Sequence, residues 1–413
     1  MFIFENIKIT KMYSQFKIVI FWGLLAFGIL FSIAACSSKF DKENIEVIVD
    51  DPDTEPVPMV FVHPGILHND DDLNRIKNIV DQKTQPGYGS YEELIKQVTA
   101  SSNYQIKGPF ERIARDGEDG YTKSLYESDF KAAYHNAIMW VITGNEAHAK
   151  KAIEIINAYS NKLIAITGTN DNNLTASLGS FVLVNAAEIL RYKYSGWTTE
   201  ETTKCETMFN NVFAAELRKF YSRPAYTNGN WGTATIKAML GISVFLDNED
   251  YFKEALRLFY SKGLDNGSLA NYIINEAGQC QESGRDQGHV MFGIGSLAEA
   301  CEIGYHQNID MYGALENRLL KGYEYTAKYN IGLGVPFVQW TDVTGKYSNW
   351  TQISDSKRGE FRSVFEIAYN AYVVRKELKM PYTEIILNSI RPEGKPFGID
   401  NPGFGSLLFL TQN

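Results

Sequence analysis

Helical spacing of apolar residues is the sequence feature that most limits what this chain can fold into. From about residue 63 onward, apolar side chains recur mostly at intervals of three and four residues, and the alternation typical of half-buried strands is scarce. The helical stripes cover residues 88–99, 128–143, 146–160, 174–193, 200–220, 232–246, 249–262, 283–304, 309–329 and 360–379. The sequence therefore predicts an all-α domain.

A weak internal repeat indicates how these helices are arranged. Segment 145–155 recurs at 248–258, where an Asn-Glu pair, a lysine and three apolar residues keep the same spacing. Each copy follows an apolar helix and begins the next one, so each marks the tight turn of an antiparallel helix pair. Two hairpins of about 50 residues between equivalent turns predict a single-domain α/α toroid, incomplete or complete, with inner helices around a central cleft. The alternative is a coincidence between two Asn-capped helices.

The N-terminus has the pattern of a bacterial lipoprotein signal. Three lysines precede an apolar run at 18–35, which ends in Ile-Ala-Ala before Cys36. We expect residues 1–36 to be a signal peptide with a lipobox and Cys36 to be lipidated, although a plain signal peptide or a membrane anchor has a similar apolar run. The acidic, proline-containing residues 37–59 would then be a flexible tether to a catalytic domain at 60–413. The predicted location is the cell envelope, periplasmic or anchored at the outer membrane, with the lipid as the only membrane contact.

Composition and missing motifs exclude several function classes. A net charge of −9 without a basic stripe makes nucleic acid an improbable partner. Phosphate-binding glycine loops, serine-hydrolase elbows and Cys-x-x-Cys pairs are absent, and the histidines form no metal pattern, so the sequence predicts neither a cofactor nor a catalytic metal. The cysteines other than Cys36 are odd in number and are expected to be buried small residues: Cys205, Cys280 and Cys301. The oligomeric state stays open.

The first candidate active site lies between residues 282 and 296. Four polar residues recur there at i, i+3, i+4 and i+7: Glu282, Arg285, Asp286 and His289. A continuous helix would place them on one face, opposite an apolar face that packs against the domain. His289, one turn beyond Arg285, is the candidate base. The alternative is a structural ion-pair network in which the two acids hold Arg285.

A second candidate site is the Asn-Gly-Asn-Trp-Gly turn at 228–232, which precedes a helical run. It places the amides of Asn228 and Asn230 at a helix N-terminus, where unpaired amide hydrogens and the helix dipole attract carboxylates. Trp231 would also provide a platform on which a sugar stacks. The alternative is that Asn230 only caps the helix while Trp231 packs inside. His135, which interrupts an apolar helix, is a further candidate for the cleft.

These motifs together resemble the alginate lyase superfamily of Bacteroidetes polysaccharide lyases. The resemblance rests on the lipobox, the His-Pro-Gly-Ile-Leu start at 63–67, the Asn-Gly-Asn-Trp turn and, most specifically, the Glu-Ser-Gly-Arg-Asp-Gln-Gly-His stretch at 282–289. It spans most of residues 60–410. It implies an α/α toroid that cleaves alginate or a related polyuronate by β-elimination without a cofactor.

The resemblance also implies catalytic roles. A uronate carboxylate must be neutralised during elimination, for which Asn228, Asn230 and Arg285 are candidates. His289 is implied as the base that removes the C5 proton. Related lyases use a histidine and a tyrosine, but their familiar motif is not present verbatim; Tyr226, beside the turn, is slightly favoured as the acid over Tyr323 and Tyr325. The residues implied to bind substrate are Asn228, Trp231, Glu282, Gln287, His135 and Tyr325. The residues expected to make the cleft positive are Arg285, Lys237, Arg112 and Arg115.

Two other functions compete with this interpretation. A helical-toroid glycoside hydrolase acting on uronate oligosaccharides would use paired carboxylates such as Glu282 and Asp286, or one of these with a residue from another helix. Two acids one turn apart on the same helix make a two-sided attack awkward. A surface lipoprotein that only binds glycan would use tryptophans as platforms: Trp231, Trp340 and Trp350. Convergence of His289, Arg285 and Asn230 in one cleft would favour the lyase.

Overall fold

Helices follow one another through the part of the chain that the structure, a computed structural model, describes: residues 59–221, 229–262, 265–345 and 349–411. In chain order they are α1 (Asp70–Asp81), α2 (Gly87–Ile95), α3 (Lys123–Thr143), α4 (Glu146–Lys162), α5 (Asn172–Lys193), α6 (Thr199–Met208), α7 (Ala215–Tyr221), α8 (Gly229–Phe245), α9 (Glu249–Tyr260), α10 (Leu269–Tyr272), α11 (Gln287–His306), α12 (Ala314–Asn330), α13 (Phe365–Tyr369), α14 (Pro381–Ile390) and α15 (Gly405–Leu408). The predicted signal peptide, Cys36 and nearly all of the predicted tether lie outside the described residues.

Short segments of other geometry link these helices. Three are 3₁₀ turns, at Val98–Ala100, Glu118–Thr122 and Gln281–Gly284, and two are π-helical, at Phe209–Ala214 and Asn370–Arg375. Strands β1 (Arg112–Ile113) and β2 (Ala165–Ile166) form a two-residue parallel pair, with Arg112 opposite Ala165. The all-α prediction is confirmed, since this pair is the one sheet within the described residues.

Four long helices, α3, α5, α8 and α11, form the inner layer. α3 packs against α5, α5 against α8, and α8 against α11. Every residue of α8 is buried; its sequence is mostly apolar or small on all sides, and its one charged side chain, Lys237, is paired with Glu299. α4, α9 and α12 pack outside α3, α8 and α11 respectively. This is the predicted α/α toroid.

The turns between helices confirm the hairpin repeat. Asn145 caps α4 by accepting a hydrogen bond from the amide of Ala147, and Asn248 caps α9 by accepting one from the amide of Tyr251. Between them, Thr198 caps α6 in a capping box. The three caps lie about 50 residues apart, the spacing expected when each hairpin contributes one repeat.

Judged by length and apolar composition alone, one inner helix would be mistaken for a membrane-spanning helix. Of the helices that the structure describes, α5 is long and apolar enough to cross a membrane, but its most apolar window is entirely buried within the protein. A helix enclosed by its neighbours needs the same composition as one enclosed by lipid. The cysteine prediction is confirmed as well, since Cys205, Cys280 and Cys301 are buried and unpaired.

Candidate active site

The prediction that residues 282–289 form one helix is wrong. Gln281–Gly284 is a 3₁₀ turn, Asp286 has extended backbone (φ −170°, ψ 160°), and α11 begins at Gln287. Asp286 is the N-cap, and its side chain accepts a hydrogen bond from the amide of His289. Aspartate is among the best N-capping residues, so a new helix start at this position is as favourable as continuation. The four polar residues therefore separate into two pairs, Glu282 with Arg285 and Asp286 with His289.

The Asp286–His289 pair has the arrangement of a general base and its orienting carboxylate. Nδ1 of His289 lies 2.5 Å from Oδ2 of Asp286. Burial acts to raise the pKa of Asp286, but hydrogen bonds from the ring and amide of His289 and the nearby charge of Arg285 hold it below its ordinary value. Asp286 can accept a hydrogen bond from a protonated Nδ1, which leaves Nε2 as the ring nitrogen that can accept a proton.

His289 lines a cleft of about 580 Å³. The walls come from the starts of α5, α8 and α11, from the loop at 356–363 and from the segment at 395–400. The cationic residues of the lining are Arg115, Lys357, Arg362 and Lys395, and the acidic ones are Asp286, Glu360 and Asp400. The cleft is therefore slightly positive on a chain whose net charge is −9. An acidic protein can present a local site of this kind to a polyanion, because nearby charges set the local potential.

Asn230 and Trp231 enter the cleft from the first turn of α8. Asn230 is 1% exposed, and within the described residues its Oδ1 has no hydrogen-bond partner. A buried amide oxygen left without a partner is unfavourable unless a ligand completes it. Asn228 and Tyr226 lie outside the described residues, so their roles stay predictions.

Neither Arg285 nor Glu282 lines the cleft. Nη1 of Arg285 donates to Oε1 of Glu282 at 3.0 Å, and its Nε is 4.0 Å from Asp286. Glu282 is 1% exposed and also accepts a hydrogen bond from the hydroxyl of Tyr272; burial raises its pKa, and Arg285 only partly offsets this. Arg285 thus belongs to the ion-pair network that the sequence left open as its alternative. Glu282 and Asp286, the pair that the sequence suggested for a hydrolase, are not assembled in the cleft, because only Asp286 lines it.

Gln287 does not line the cleft but fixes one of its walls. Its Nε2 donates to the carbonyl of Ser354, its Oε1 accepts from Asn330, and its amide donates to the carbonyl of Ser356. These bonds attach the start of α11 to the loop at 354–363. Gln287 is therefore placed to position that loop and has no surface facing the cleft.

Two other expected substrate contacts also lie outside the cleft lining. His135 is 4% exposed, and its Nδ1 is paired with the hydroxyl of Thr99 at 2.8 Å. The hydroxyl of Tyr325 donates to the carbonyl of Pro336 at 2.6 Å. Both side chains are occupied in packing the toroid.

Of the basic residues expected from sequence to make the cleft positive, only some line it. Arg115 lines the cleft, whereas Lys237 is fully buried within the helices and Arg112 is exposed outside the lining. Sequence reasoning missed Arg362, Lys395 and Phe397, which come from loops near the C-terminus. No periodic pattern singles out these residues. Within the described ranges, no group of histidine, cysteine and acidic side chains is arranged to hold a metal ion.

Comparisons with known proteins identify the family and the fold. The family model described as alginate lyase matches residues 79–333, more than half of the chain, and this range contains both Asn230 and His289. The solved structure of alginate lyase A1-III from Sphingomonas species A1 superposes with a TM-score of 0.63 at 12% identity, covering 87% of this chain and 100% of that one. An alginate lyase from Bacteroides ovatus gives a TM-score of 0.58 at 13% identity, covering 85% and 100%.

A variant of A1-III complexed with tetrasaccharide gives a TM-score of 0.61 at 13% identity, covering 87% of this chain and 99% of that one. At such low identity these likenesses establish the toroidal fold alone. No curated protein sequence matches the chain.

Proposed function

The chain belongs to the alginate lyase family and is a polysaccharide lyase, and we propose that it cleaves alginate or a related polyuronate by β-elimination with His289 as the base. One observation carries the role of His289: its Nδ1 is bonded to an ionised Asp286 while the ring lines a positive cleft. An oriented imidazole with a free Nε2 is suited to removing a weakly acidic proton.

The proposed reaction balances without a cofactor. Nε2 of His289 takes the C5 proton, the C4–O4 bond breaks, a C4=C5 double bond forms, and the departing O4 receives a proton. Negative charge develops on the uronate carboxylate as the C5 proton leaves, so preorganised donors around that carboxylate lower the barrier. Asn230 lines the cleft, and its Nδ2 is the donor suited to this role, because its unpaired Oδ1 is an acceptor and does not bind a carboxylate.

We retain Tyr226 as the proposed acid and Asn228 as a partner of Asn230. Tyr226 precedes Asn230 by four residues, and four residues of extended chain span at most about 14 Å. The chain therefore allows both residues to lie within about 14 Å of Asn230, which lines the cleft. If a Tyr226→Phe variant keeps its activity, the acid is instead the imidazolium formed on His289.

The decisive experiment incubates the protein with a panel of polyuronates: polymannuronate, polyguluronate, glucuronan and glycosaminoglycans. Elimination creates an unsaturated uronate that absorbs in the ultraviolet, whereas hydrolysis releases reducing ends without this absorbance. Absorbance that grows on one polymer and disappears with His289→Ala would support the proposal and identify the substrate. Reducing ends without absorbance would contradict it.

We also propose that the chain is a lipoprotein of the cell envelope, anchored through Cys36, with access to extracytoplasmic polysaccharide. The apolar run ending in Ile-Ala-Ala-Cys supports this proposal. The test compares membrane and soluble fractions of cells that express the full chain or Cys36→Ser. The proposal would be contradicted if the Cys36→Ser variant stays in the membrane fraction to the same extent as the wild type and mass spectrometry finds no lipid on the wild-type N-terminus.

A further inference from the structure

We propose that the buried ion pair between Lys237 of α8 and Glu299 of α11 positions one wall of the cleft, the loop at 394–404, and that this wall binds the polyuronate chain. From sequence, Lys237 was expected to face the cleft and make it positive. It instead contacts a loop that lines the cleft. The part of the inference that concerns substrate rests on the proposed function, whereas the attachment of the loop does not.

The loop at 394–404 has the form of an Ω-loop, a surface loop whose two ends lie close together. The amide of Phe404 donates to the carbonyl of Gly394 at 2.6 Å, which closes the ends. The middle of the loop contributes four residues to the cleft lining: Lys395, Pro396, Phe397 and Asp400. Closing the ends fixes the shape of the loop, but its position against the toroid needs a separate attachment.

The Lys237–Glu299 ion pair is such an attachment. Nζ of Lys237 donates to Oε2 of Glu299 at 2.5 Å and to the backbone carbonyl of Asp400 at 2.6 Å. Nδ2 of Asn401 donates to Oε1 of Glu299 at 2.6 Å. Each member of the ion pair therefore bonds the same short stretch of the loop, one from α8 and one from α11. A further attachment, the ion pair between Asp400 and Arg362, comes from another loop.

The ion pair lies close to the cleft without lining it. Nζ of Lys237 is 6.0 Å from the ring centroid of Phe292, which belongs to the lining, whereas Lys237 and Glu299 do not. The pair can therefore affect a bound polysaccharide only through the residues that it holds. The stretch that it holds includes Asp400 of the cleft wall and not the base His289, so the expected effect is on binding of the chain.

Stability alone does not explain an ion pair in this place. Lys237 is 0% exposed and Glu299 is 2% exposed, between two inner helices. Because charges lose their hydration on burial, replacing a buried ion pair by apolar side chains of similar volume is often neutral or stabilising. Burial also raises the pKa of Glu299 above its ordinary value, and Lys237 and Asn401 only partly offset this. Apolar side chains could fill the same space but could not bond the loop.

The first experiment replaces both members of the pair in the full chain, Lys237→Met with Glu299→Met, so that no buried charge loses its partner. Amide hydrogen exchange in the loop at 394–404 should become about 10-fold faster or more, the factor expected when hydrogen bonds to charged groups are lost. Exchange in α8 and α11 should stay unchanged, and the melting temperature should equal or exceed that of the wild type. Unchanged exchange in the loop would overturn the inference.

Asn401→Leu repeats the measurement from the side of the loop. It removes the bond to Glu299 and leaves the ion pair between the helices in place. It therefore tests the attachment even if the double variant does not fold. Faster exchange at 394–404 is expected again, and exchange equal to that of the wild type would contradict the attachment.

Arg375→Met with Glu302→Met is the matched control. This pair also joins α11 to another segment, with 2.7 Å between Arg375 and Glu302, and Glu302 is 3% exposed. Within the part of the chain that the structure describes, neither residue has a hydrogen bond to the loop at 394–404. Exchange in the loop should match that of the wild type. Faster exchange there would mean that any lost ion pair on α11 loosens the loop, which contradicts a specific role of Lys237 and Glu299.

Steady-state kinetics on the cleaved polyuronate test the role in binding. The Lys237→Met, Glu299→Met variant should have a KM about 10-fold higher than the wild type, with kcat within about twofold, because contacts to the chain are lost while the Asp286–His289 pair is untouched. A merely structural pair would instead lower stability and leave KM per folded molecule unchanged.

An unchanged KM together with a loosened loop would contradict the role of this wall in binding. Failure of the proposed function is visible separately, because the wild type would then form no unsaturated uronate on any polymer. The role in binding would fail with it, and hydrogen exchange would still decide whether the ion pair holds the loop.

Discussion

The two ends of helix α11 carry the same pair of residue types in different surroundings. At its start, His289 is bonded to Asp286, and at its end, His306 forms an ion pair with Asp72 at 2.9 Å. The side chain of His289 is 36% exposed and lines the cleft, whereas that of His306 is 1% exposed. An aspartate beside a histidine therefore does not by itself identify a catalytic base.

The difference lies in how many ring nitrogens are occupied. Nδ1 of His306 donates to the carbonyl of Ile66 and its Nε2 lies 2.9 Å from Asp72, so the surroundings favour the doubly protonated ring and raise its pKa. His289 uses only Nδ1 within the described residues, which leaves Nε2 as a proton acceptor. A general base needs such an open nitrogen. The first histidine is suited to proton transfer and the second to holding the N-terminal segment against the toroid.

The largest expected effect is on catalysis at the start of the helix. His289→Ala should lower kcat on the cleaved polyuronate by about 1000-fold, within the range that general-base catalysis contributes. Its melting temperature should stay close to that of the wild type, because the side chain is partly exposed. Steady-state kinetics and thermal unfolding of the same preparation measure both quantities. Retention of more than a tenth of the activity would exclude His289 as the base.

The opposite end of the helix should respond in stability. His306→Ala removes the buried imidazole beside Asp72 and Glu302, which keep their ion pairs with Arg75 and Arg375. The free energy of unfolding should therefore fall by up to about 3 kcal/mol, the lower end for a broken buried pair. Activity per folded molecule should be unchanged, since His306 does not line the cleft. Urea titration with an activity assay on the folded fraction provides the comparison. A variant of normal stability and reduced kcat would reverse the roles assigned to the two histidines.

Much of the fold was predictable because its signals are local. Apolar spacing identified the inner helices, and Asn145 and Asn248 marked the hairpin turns because a capping side chain needs only the amides two or three residues ahead. Local signals gave a wrong prediction at Asp286, where one continuous helix was expected and a new helix begins. An aspartate fits both the interior and the N-cap of a helix, and only the packing of the loop at 354–356 against Gln287 favours the break.

The site was predictable only where its residues begin helices. Asn230, Trp231 and His289 were found because turn and helix signals surround them. Arg362 and Asp400 were missed because their place in the cleft depends on tertiary contacts with α8 and α11. His135 and Lys237 were expected in the cleft but lie outside its lining, because both side chains are buried among the helices. Residue spacing alone does not predict such burial.

A smaller effect is expected when the Asp286–His289 pair is changed without removing the histidine. Asn is as good an N-cap as Asp, so Asp286→Asn should preserve the start of α11. Its side-chain amide can donate to Nδ1, which moves the proton to Nε2 and blocks the base, as seen when a triad aspartate is replaced. We expect kcat to fall by about 100-fold, the lower end of the range for general-base catalysis, with KM nearly constant. Asp286→Ala removes the N-cap as well as the carboxylate, so its melting temperature should fall. If the melting temperature of Asp286→Asn does not fall, its lower kcat results from the changed tautomer of His289 and not from an altered start of α11.

The smallest effect is the pH dependence of stability at His306. Burial acts to lower the pKa of His306, but the ion pair with Asp72, the charge of Glu302 and the carbonyl of Ile66 raise it above the ordinary 6.5. The folded protein therefore binds this proton more tightly than the unfolded chain, so the stabilisation is complete below pH 6.5 and is lost as pH rises through the raised pKa.

His306→Gln titrates nothing at this position and serves as the reference. The difference in free energy of unfolding between wild type and variant should shrink as pH increases, by about 1.4 kcal/mol for each unit by which the pKa is raised. Urea unfolding across neutral and mildly alkaline pH measures it. A difference that stays constant with pH would mean that His306 is neutral in the folded protein, and the contrast between the two ends of α11 would then rest on exposure alone.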